Sequence, residues 1–359
     1  MTIPYRPEIH KIQPYVPGKP IEEVQKELGL TTVIKLASNE NPYGCSDKAK
    51  KVIIESLDTI ALYPDGSANL LKTALAQHLQ VETSQLIFGA GSDEILGMLT
   101  QVFLEPGQEL LTSAQSFPRY DSVAYLMGGN IVKVPLNNYT YDLVEMTKYI
   151  NKNTKMIVLA NPNNPTGTYF SHTTLVDFLN IVPNDIIVVL DEAYYEYVDT
   201  DDYPHSLSLL NKYDNLIILR TFSKAYGLAS LRVGYGISSP KIIELLNRVR
   251  NPFNVSNLAQ VAAIASLEDQ DFVQRSFELN QQVKYFMYQK LKELNIPFLP
   301  TQANFIMFDA QRPSALLFEE LQEYGFIVRP AFGVPNWIRV TLGTMEEMES
   351  FINTLKKIY

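Results

Sequence analysis

Cysteine is almost absent: Cys45 is the only one in 359 residues, so the chain cannot close an intramolecular disulfide. Histidine is scarce too. His10, His78, His172 and His205 are too scattered for an i, i+4 metal pair or a cysteine–histidine zinc site, and no metal chemistry is expected. Positive charge is short as well. Thirty Lys and Arg against 39 Asp and Glu leave a formal net charge of −9, which excludes the broad basic surface of a nucleic-acid or acidic-membrane binder. Any anionic ligand must therefore meet locally concentrated positive groups. No run of about 18 uncharged apolar residues occurs, so no membrane span is expected. The first residues, Met1 to Arg6, hold no signal-peptide-like apolar run, and with one cysteine the expected setting is the reducing cytoplasm.

The chain has the balance of a globular protein, 46% hydrophobic and 19% charged, and is long enough for roughly two domains with a substantial core. Pro4, Pro7, Pro14, Pro17 and Pro20 predict an extended N-terminal arm over residues 1–32 with a short helix near Ile21 to Leu28. From 33 to 252 short apolar runs alternate with segments of helical period. This is the pattern of βαβ units around a mostly parallel sheet, and so of a large α/β domain. Its clearest strands are Leu86–Phe88, Met156–Leu159, Ile186–Leu190 and Leu216–Leu219, each a continuous run suited to burial on both faces. Near Asn251 and Pro252 the character changes. Residues 253–359 read as a smaller α+β domain: a stripe of Val283, Phe286, Met287, Leu291 and Leu294, strands at Asn304–Phe308 and Trp337–Thr341, a helix between Pro313 and Gly325, and a last helix opened by a Thr344/Glu347 capping box.

In an open parallel sheet, ligands sit beyond the carboxyl ends of the strands, so the residues just past each apolar run carry the information. Leu86–Phe88 leads into Gly89, Ala90, Gly91, Ser92, Asp93 and Glu94. Small residues turning into a helix N-terminus offer amides to a phosphate, although an ordinary tight turn has the same composition. Glu94 stands where a dinucleotide fingerprint needs its third glycine. Met156–Leu159 leads into Asn161 to Gly167 (NPNNPTG), and Ile186–Leu190 into Asp191, Glu192, Ala193 and Tyr194. Leu216–Leu219 leads into Arg220, Thr221, Phe222, Ser223 and Lys224, with Arg232 eight residues further on.

A lone lysine in such a loop is ordinarily a solvated charge, and Asp191 or Asn164 alone would read as a turn cap. Their joint placement on neighbouring strand ends has a chemical reading. Pyridoxal phosphate needs an amine for its aldehyde, a carboxylate to keep its ring nitrogen protonated, donors to its phenolic oxygen and a cup for its phosphate. Desolvation in the crevice would also bring Lys224 towards a reactive neutral amine.

The segments NPNNPTG, DEAY (Asp191–Tyr194), TFSK (Thr221–Lys224) and RVG (Arg232–Gly234) resemble, in order and spacing, the fold-type I pyridoxal-phosphate aminotransferases. Tyr15–Pro20 (YVPGKP), Leu36–Gly44 (LASNENPYG) and Ile338–Gly343 (IRVTLG) are similar to the histidinol-phosphate aminotransferases within that group, and the resemblance runs nearly end to end. Cys45 stands where that family often has proline.

The resemblance implies that Lys224 bonds to the cofactor aldehyde, that Asp191 pairs with the ring nitrogen, and that Asn164 and Tyr194 hold the phenolic oxygen. It gives the phosphate to Gly91, Ser92, Ser223 and Arg232, with Ala90 and Thr221 as helpers. Phe117 would stack on the ring, keeping the packing but not the hydroxyl of the tyrosine many relatives have there. It also implies a homodimer with shared sites, in which Tyr63 reaches the partner subunit's cofactor phosphate. Tyr15 and Asn39 would border the substrate pocket, and Arg329 and Arg339 would take the anionic end of small-molecule substrates. The implied activity is transfer of an amino group between histidinol phosphate and 2-oxoglutarate, in histidine biosynthesis. The alternatives are an aromatic amino-acid aminotransferase, a phosphothreonine decarboxylase, and a module that binds the cofactor without turnover.

Overall fold

Strands without polar alternation need cover on both faces, and in the computed structural model, which describes residues 3–14 and 19–359, they all lie in one sheet. After the two-residue strand β1 (Ile34–Lys35) come the seven strands of this sheet. They are β2 (Leu86–Gly89), β3 (Glu109–Ser113), β4 (Asn130–Val134), β5 (Thr154–Ala160), β6 (Ile187–Asp191), β7 (Leu216–Thr221) and β8 (Gly234–Ser238). They lie in the order β2-β8-β7-β6-β5-β3-β4, and β8 runs antiparallel to both of its neighbours while the other pairings are parallel. The chain thus has the expected mostly parallel sheet flanked by helices.

Register brings the informative loops to one edge. Ala160 pairs with Asp191, Asp191 with Leu219, and Gly234 lies between Gly89 on one side and Thr221 on the other. A Cβ on Gly234 would stand 2.4 Å from the Ser92 amide nitrogen, so the approach of the β2 loop to the β7 loop requires a residue without a side chain there. The helix Ser92–Phe103, next in the chain after β2, buries Ile95, Leu96, Met98 and Leu99.

The C-terminal part has its own antiparallel sheet. It is built from β9 (Phe298–Leu299), β10 (Phe305–Asp309), β12 (Arg329–Pro330) and β13 (Trp337–Thr341), in the order β12-β13-β10-β9. The helix Met345–Ile358 buries Met348, Phe351, Ile352 and Leu355 against it and opens with both hydrogen bonds of the Thr344/Glu347 capping box. β11 (Phe326–Ile327) instead pairs in parallel with β1. Through that pairing Leu36 joins the C-terminal core, and Val33 and Ala37 pack with Val24 and Ile327.

Hydrophobic packing also runs past residue 252, where the sequence predicts a boundary. Val255, Ala259, Ala262 and Val273 belong to the large core and Val283, Met287 and Leu291 to the small one. The handover falls inside the helix Gln270–Glu293, which is continuous and so shows no break in its own periodicity. The arm contains the helix Ile21–Leu28, ended by Gly29 at φ +66°, and a 3-10 turn at Pro7–Lys11 that packs against the helix Arg119–Leu126. Among the described residues no helix is long and apolar enough to cross a membrane.

Candidate active site

A cavity of about 210 Å³ opens where β2, β5, β6 and β7 end, closed on its far side by residues of the N-terminal segment and of β13. Lys224 stands in it. Its Nζ donates to the Ser38 carbonyl at 2.9 Å, and burial, followed by repulsion from Arg339, brings its pKa down to about 8. A turn holds the lysine loop in place, with the Gly227 amide donating to the Lys224 carbonyl at 2.9 Å.

Asp191, the last residue of β6, lines the same cavity. Its Oδ2 accepts from the Tyr120 hydroxyl at 2.8 Å, while its buried Oδ1 has no hydrogen-bond partner. Burial raises this carboxyl to about 6. Phe117, expected as a stacking ring, also lines the cavity and packs edge-on against Tyr120 at 5.8 Å between ring centroids.

Asn164 and Tyr194 meet as expected. The Tyr194 hydroxyl accepts from Asn39 Nδ2 at 2.9 Å and from Asn164 Nδ2 at 3.4 Å. Asn39 is tied in turn to β13, its amide donating to Thr341 Oγ1 at 2.9 Å and its side-chain Oδ1 accepting from the same hydroxyl at 3.1 Å, so the one side chain bridges Tyr194 and β13. Arg339 is 4% exposed, not a surface strand charge. It donates to Asn164 Oδ1 at 2.6 Å and to the Ala37 carbonyl.

The residues expected to form an anion cup, Gly91, Ser92, Thr221, Ser223 and Arg232, all lie on the cavity wall. Ser92 and Asp93 open the helix, where no helical carbonyl accepts their amides. Thr221 Oγ1 accepts from the Ser223 amide at 3.0 Å and donates to Ser223 Oγ at 2.9 Å. Arg232, at φ +54°, sits in a left-handed conformation that a side chain rarely adopts. Its Nη1 reaches Ser223 Oγ at 3.4 Å, and its Nη2 would lie 2.7 Å from a Cβ on Gly91. The bare Gly91 backbone is what lets the guanidinium close over the cup.

Two expected residues lie off this wall. Ala90 does not line the cavity, and its amide is committed to Glu94 Oε2 at 2.6 Å. Arg329 pairs in register with Arg339 on the neighbouring strand, but its guanidinium lies 4.9 Å from the Phe332 ring centroid, and Phe332, not Arg329, is on the wall. Tyr63, expected at the partner subunit's cofactor and not in this chain's own cavity, is 81% exposed and stacks on Phe253. Tyr15, expected at the substrate pocket, falls outside the described residues. Sequence reasoning missed seven wall residues: Ala160, Pro162 and Ala193 beside predicted ones, and Ser38, Asp93, Tyr120 and Phe332. Ser38 contributes a carbonyl, which any residue carries, but Tyr120 lies three positions past Phe117 in the first turn of a helix, a signal that was present.

The family model for aminotransferase class I and II matches residues 31–355. The chain belongs to that family. This aminotransferase is 49% identical over 356 residues, 99% of each chain, to the histidinol-phosphate aminotransferase of Caldicellulosiruptor saccharolyticus. It is 46% identical over 353 residues, 98% of each chain, to that of Bacillus subtilis strain 168. Among solved structures it is similar to the histidinol-phosphate aminotransferase of Sinorhizobium meliloti in complex with pyridoxal-5'-phosphate. The TM-score is 0.91 at 28% identity, over 99% of this chain and 98% of that one.

Proposed function

We propose that this aminotransferase uses pyridoxal phosphate to move an amino group from histidinol phosphate to 2-oxoglutarate, giving imidazole-acetol phosphate and glutamate. The observation that carries the reading is one cavity holding a lysine amine lowered to about 8 between an anion cup at one end and the buried guanidinium of Arg339 at the other. The residues present fit the cofactor. The unpartnered Oδ1 of Asp191 suits a protonated ring nitrogen, and the glycine at 91 leaves room for a phosphate against Arg232.

When bound, pyridoxal phosphate supplies an aldehyde that takes up the substrate's amine and a protonated ring that accepts the electrons of a breaking C–H bond. Gly91, Ser92, Thr221, Ser223 and Arg232 would hold its phosphate, Phe117 would stack on its ring, and Asn164 and Tyr194 would hold its phenolic oxygen. Lys224, buried and with its amine lowered to about 8, would be a base of suitable strength to carry a proton from the substrate carbon. Histidinol phosphate has no α-carboxylate, so the same guanidinium serves a phosphate in one half-reaction and a carboxylate of glutamate in the other. Planar bidentate geometry accepts both.

A second copy of the chain completes the site in this reading. Ile54, Leu57, Ile60, Leu62, Tyr63 and Leu70 are exposed apolar side chains in one stretch, which supports a homodimer in which Tyr63 reaches the other subunit's cup.

The test is a comparison of amino donors at equal concentration, with glutamate formation from 2-oxoglutarate as the readout. Histidinol phosphate is expected to exceed phenylalanine. A faster reaction with phenylalanine would make the enzyme an aromatic amino-acid aminotransferase, and carbon dioxide release from phosphothreonine would make it a decarboxylase.

A further inference from the structure

Two of the groups proposed to face the cofactor, the Asp191 carboxylate and the Phe117 ring, are both contacted by one side chain, that of Tyr120. Tyr120 is 2% exposed in the first turn of the helix Arg119–Leu126. Its amide donates to the Phe117 carbonyl at 3.2 Å, its ring meets the Phe117 ring edge-on, and its hydroxyl donates to Asp191 Oδ2 across 71 positions of sequence.

We propose that Tyr120 is the positioning residue for Asp191, its phenol fixing one carboxylate oxygen so that the other faces the ring nitrogen of the cofactor. The inference rests on the pyridoxal-phosphate reading. A carboxylate has two equivalent oxygens and a freely turning plane, so a buried one needs a donor on one oxygen before the other can be aimed. Tyr120 supplies that donor, and Oδ1 is left buried and unpartnered on the cavity wall.

The surroundings otherwise work against the anion. Burial raises the Asp191 carboxyl, and the carboxylates of Asp93 and Glu192 raise it further. The Tyr120 hydroxyl and the Ala193 amide act in the opposite direction. The phenols of Tyr141 and Tyr194 also stand close enough to Tyr120 to act on it. Tyrosine suits this place better than a basic side chain would in one respect: it donates a proton without carrying a charge that would compete with the ring nitrogen for the carboxylate.

Tyr120→Phe keeps the ring and its packing and removes only the donor, so it separates positioning from structure. Two readouts are needed. The first is the Asp191 titration in the cofactor-free protein, read by infrared difference spectroscopy with Asp191→Asn as the blank. The second is the dissociation constant for pyridoxal phosphate and for its analogue with carbon in place of the ring nitrogen.

In Tyr120→Phe the titration should move up by about one pH unit. The dissociation constant for pyridoxal phosphate should rise about tenfold or more, the effect of a hydrogen bond to a charged group. That of the carbon analogue should stay within about twofold of wild type, since a small change away from the analogue leaves its contacts intact. Incorporation of 3,5-difluorotyrosine at 120, a stronger donor of the same shape, should move the titration down, and it serves equally if the phenylalanine variant folds poorly. An unmoved titration, or equal weakening of both ligands, would overturn the inference. A wild-type protein that takes up no pyridoxal phosphate would overturn the reading beneath it as well, which separates the two failures.

Discussion

Arg339 Nη1 donates to Asn164 Oδ1 at 2.6 Å, so the arginine at the substrate end of the cavity and the amide that reaches the Tyr194 hydroxyl form one hydrogen-bonded unit. Arg339→Lys keeps the charge but loses the fork that can hold Asn164 and a substrate anion together. The KM for both histidinol phosphate and glutamate should rise by about tenfold or more, the cost of one charge-assisted hydrogen bond. Arg329→Ala should raise it less, because that guanidinium lies against Phe332 instead of on the cavity wall. Steady-state kinetics on the two variants checks the order.

Gly227 tests how the lysine loop is held. It has φ +70°, and a Cβ there would lie 1.8 Å from the Gly44 carbonyl oxygen. Gly227→Ala should destabilise the protein by about 3 kcal/mol or more, since neither backbone can yield without moving Lys224 or the N-terminal segment. Gly29→Ala, also at positive φ but with nothing within 4 Å, should cost about 1–2 kcal/mol. Thermal unfolding midpoints of the two variants give the comparison.

The lowered lysine gives a pH signature. Between about 8 and 10.5 the folded cofactor-free protein binds fewer protons at Lys224 than the unfolded chain does, so its stability rises with pH across that window. Lys224→Met should therefore be more stable than wild type at pH 7, with the gap closing towards pH 10. The rate of pyridoxal phosphate uptake by wild type should climb with a midpoint near 8, because the neutral amine is the nucleophile.

The exposed stretch around Tyr63 predicts the assembly. Leu62→Asp should halve the sedimenting mass from about twice 40.7 kDa to the single chain, by placing a charge in a contact that must exclude water. Tyr63→Phe should remain a dimer and bind pyridoxal phosphate about tenfold more weakly, having lost one hydrogen bond to a phosphate.

Much of the site was legible because its residues lie just past strands. The NPNNPTG, DEAY and TFSK segments each begin where an apolar run stops, parallel pairing brings those strand ends together, and Asn164, Asp191 and Lys224 line one cavity. The parts that were not legible depend on groups without a sequence signature or on contacts made across the chain. Ser38 acts through its carbonyl, and Ala90 loses its amide to a glutamate four residues away. Arg329 and Arg339 read alike in sequence, and only the turn of the side chain separates the one on the wall from the one against Phe332. The core handover was hidden inside one helix, whose periodicity is the same on either side of it.

The central claim is that Lys224 is the amine that carries the cofactor and then works as the base. The most direct measurement is the visible absorbance of wild type and of Lys224→Ala, each loaded with pyridoxal phosphate and then given histidinol phosphate and, after it, 2-oxoglutarate. Wild type should show the lysine-bound cofactor's visible band, lose it on addition of the donor and regain it with the oxo acid, while Lys224→Ala shows neither the band nor the cycle. A Lys224→Ala protein that keeps the wild-type spectrum and turnover would contradict the account.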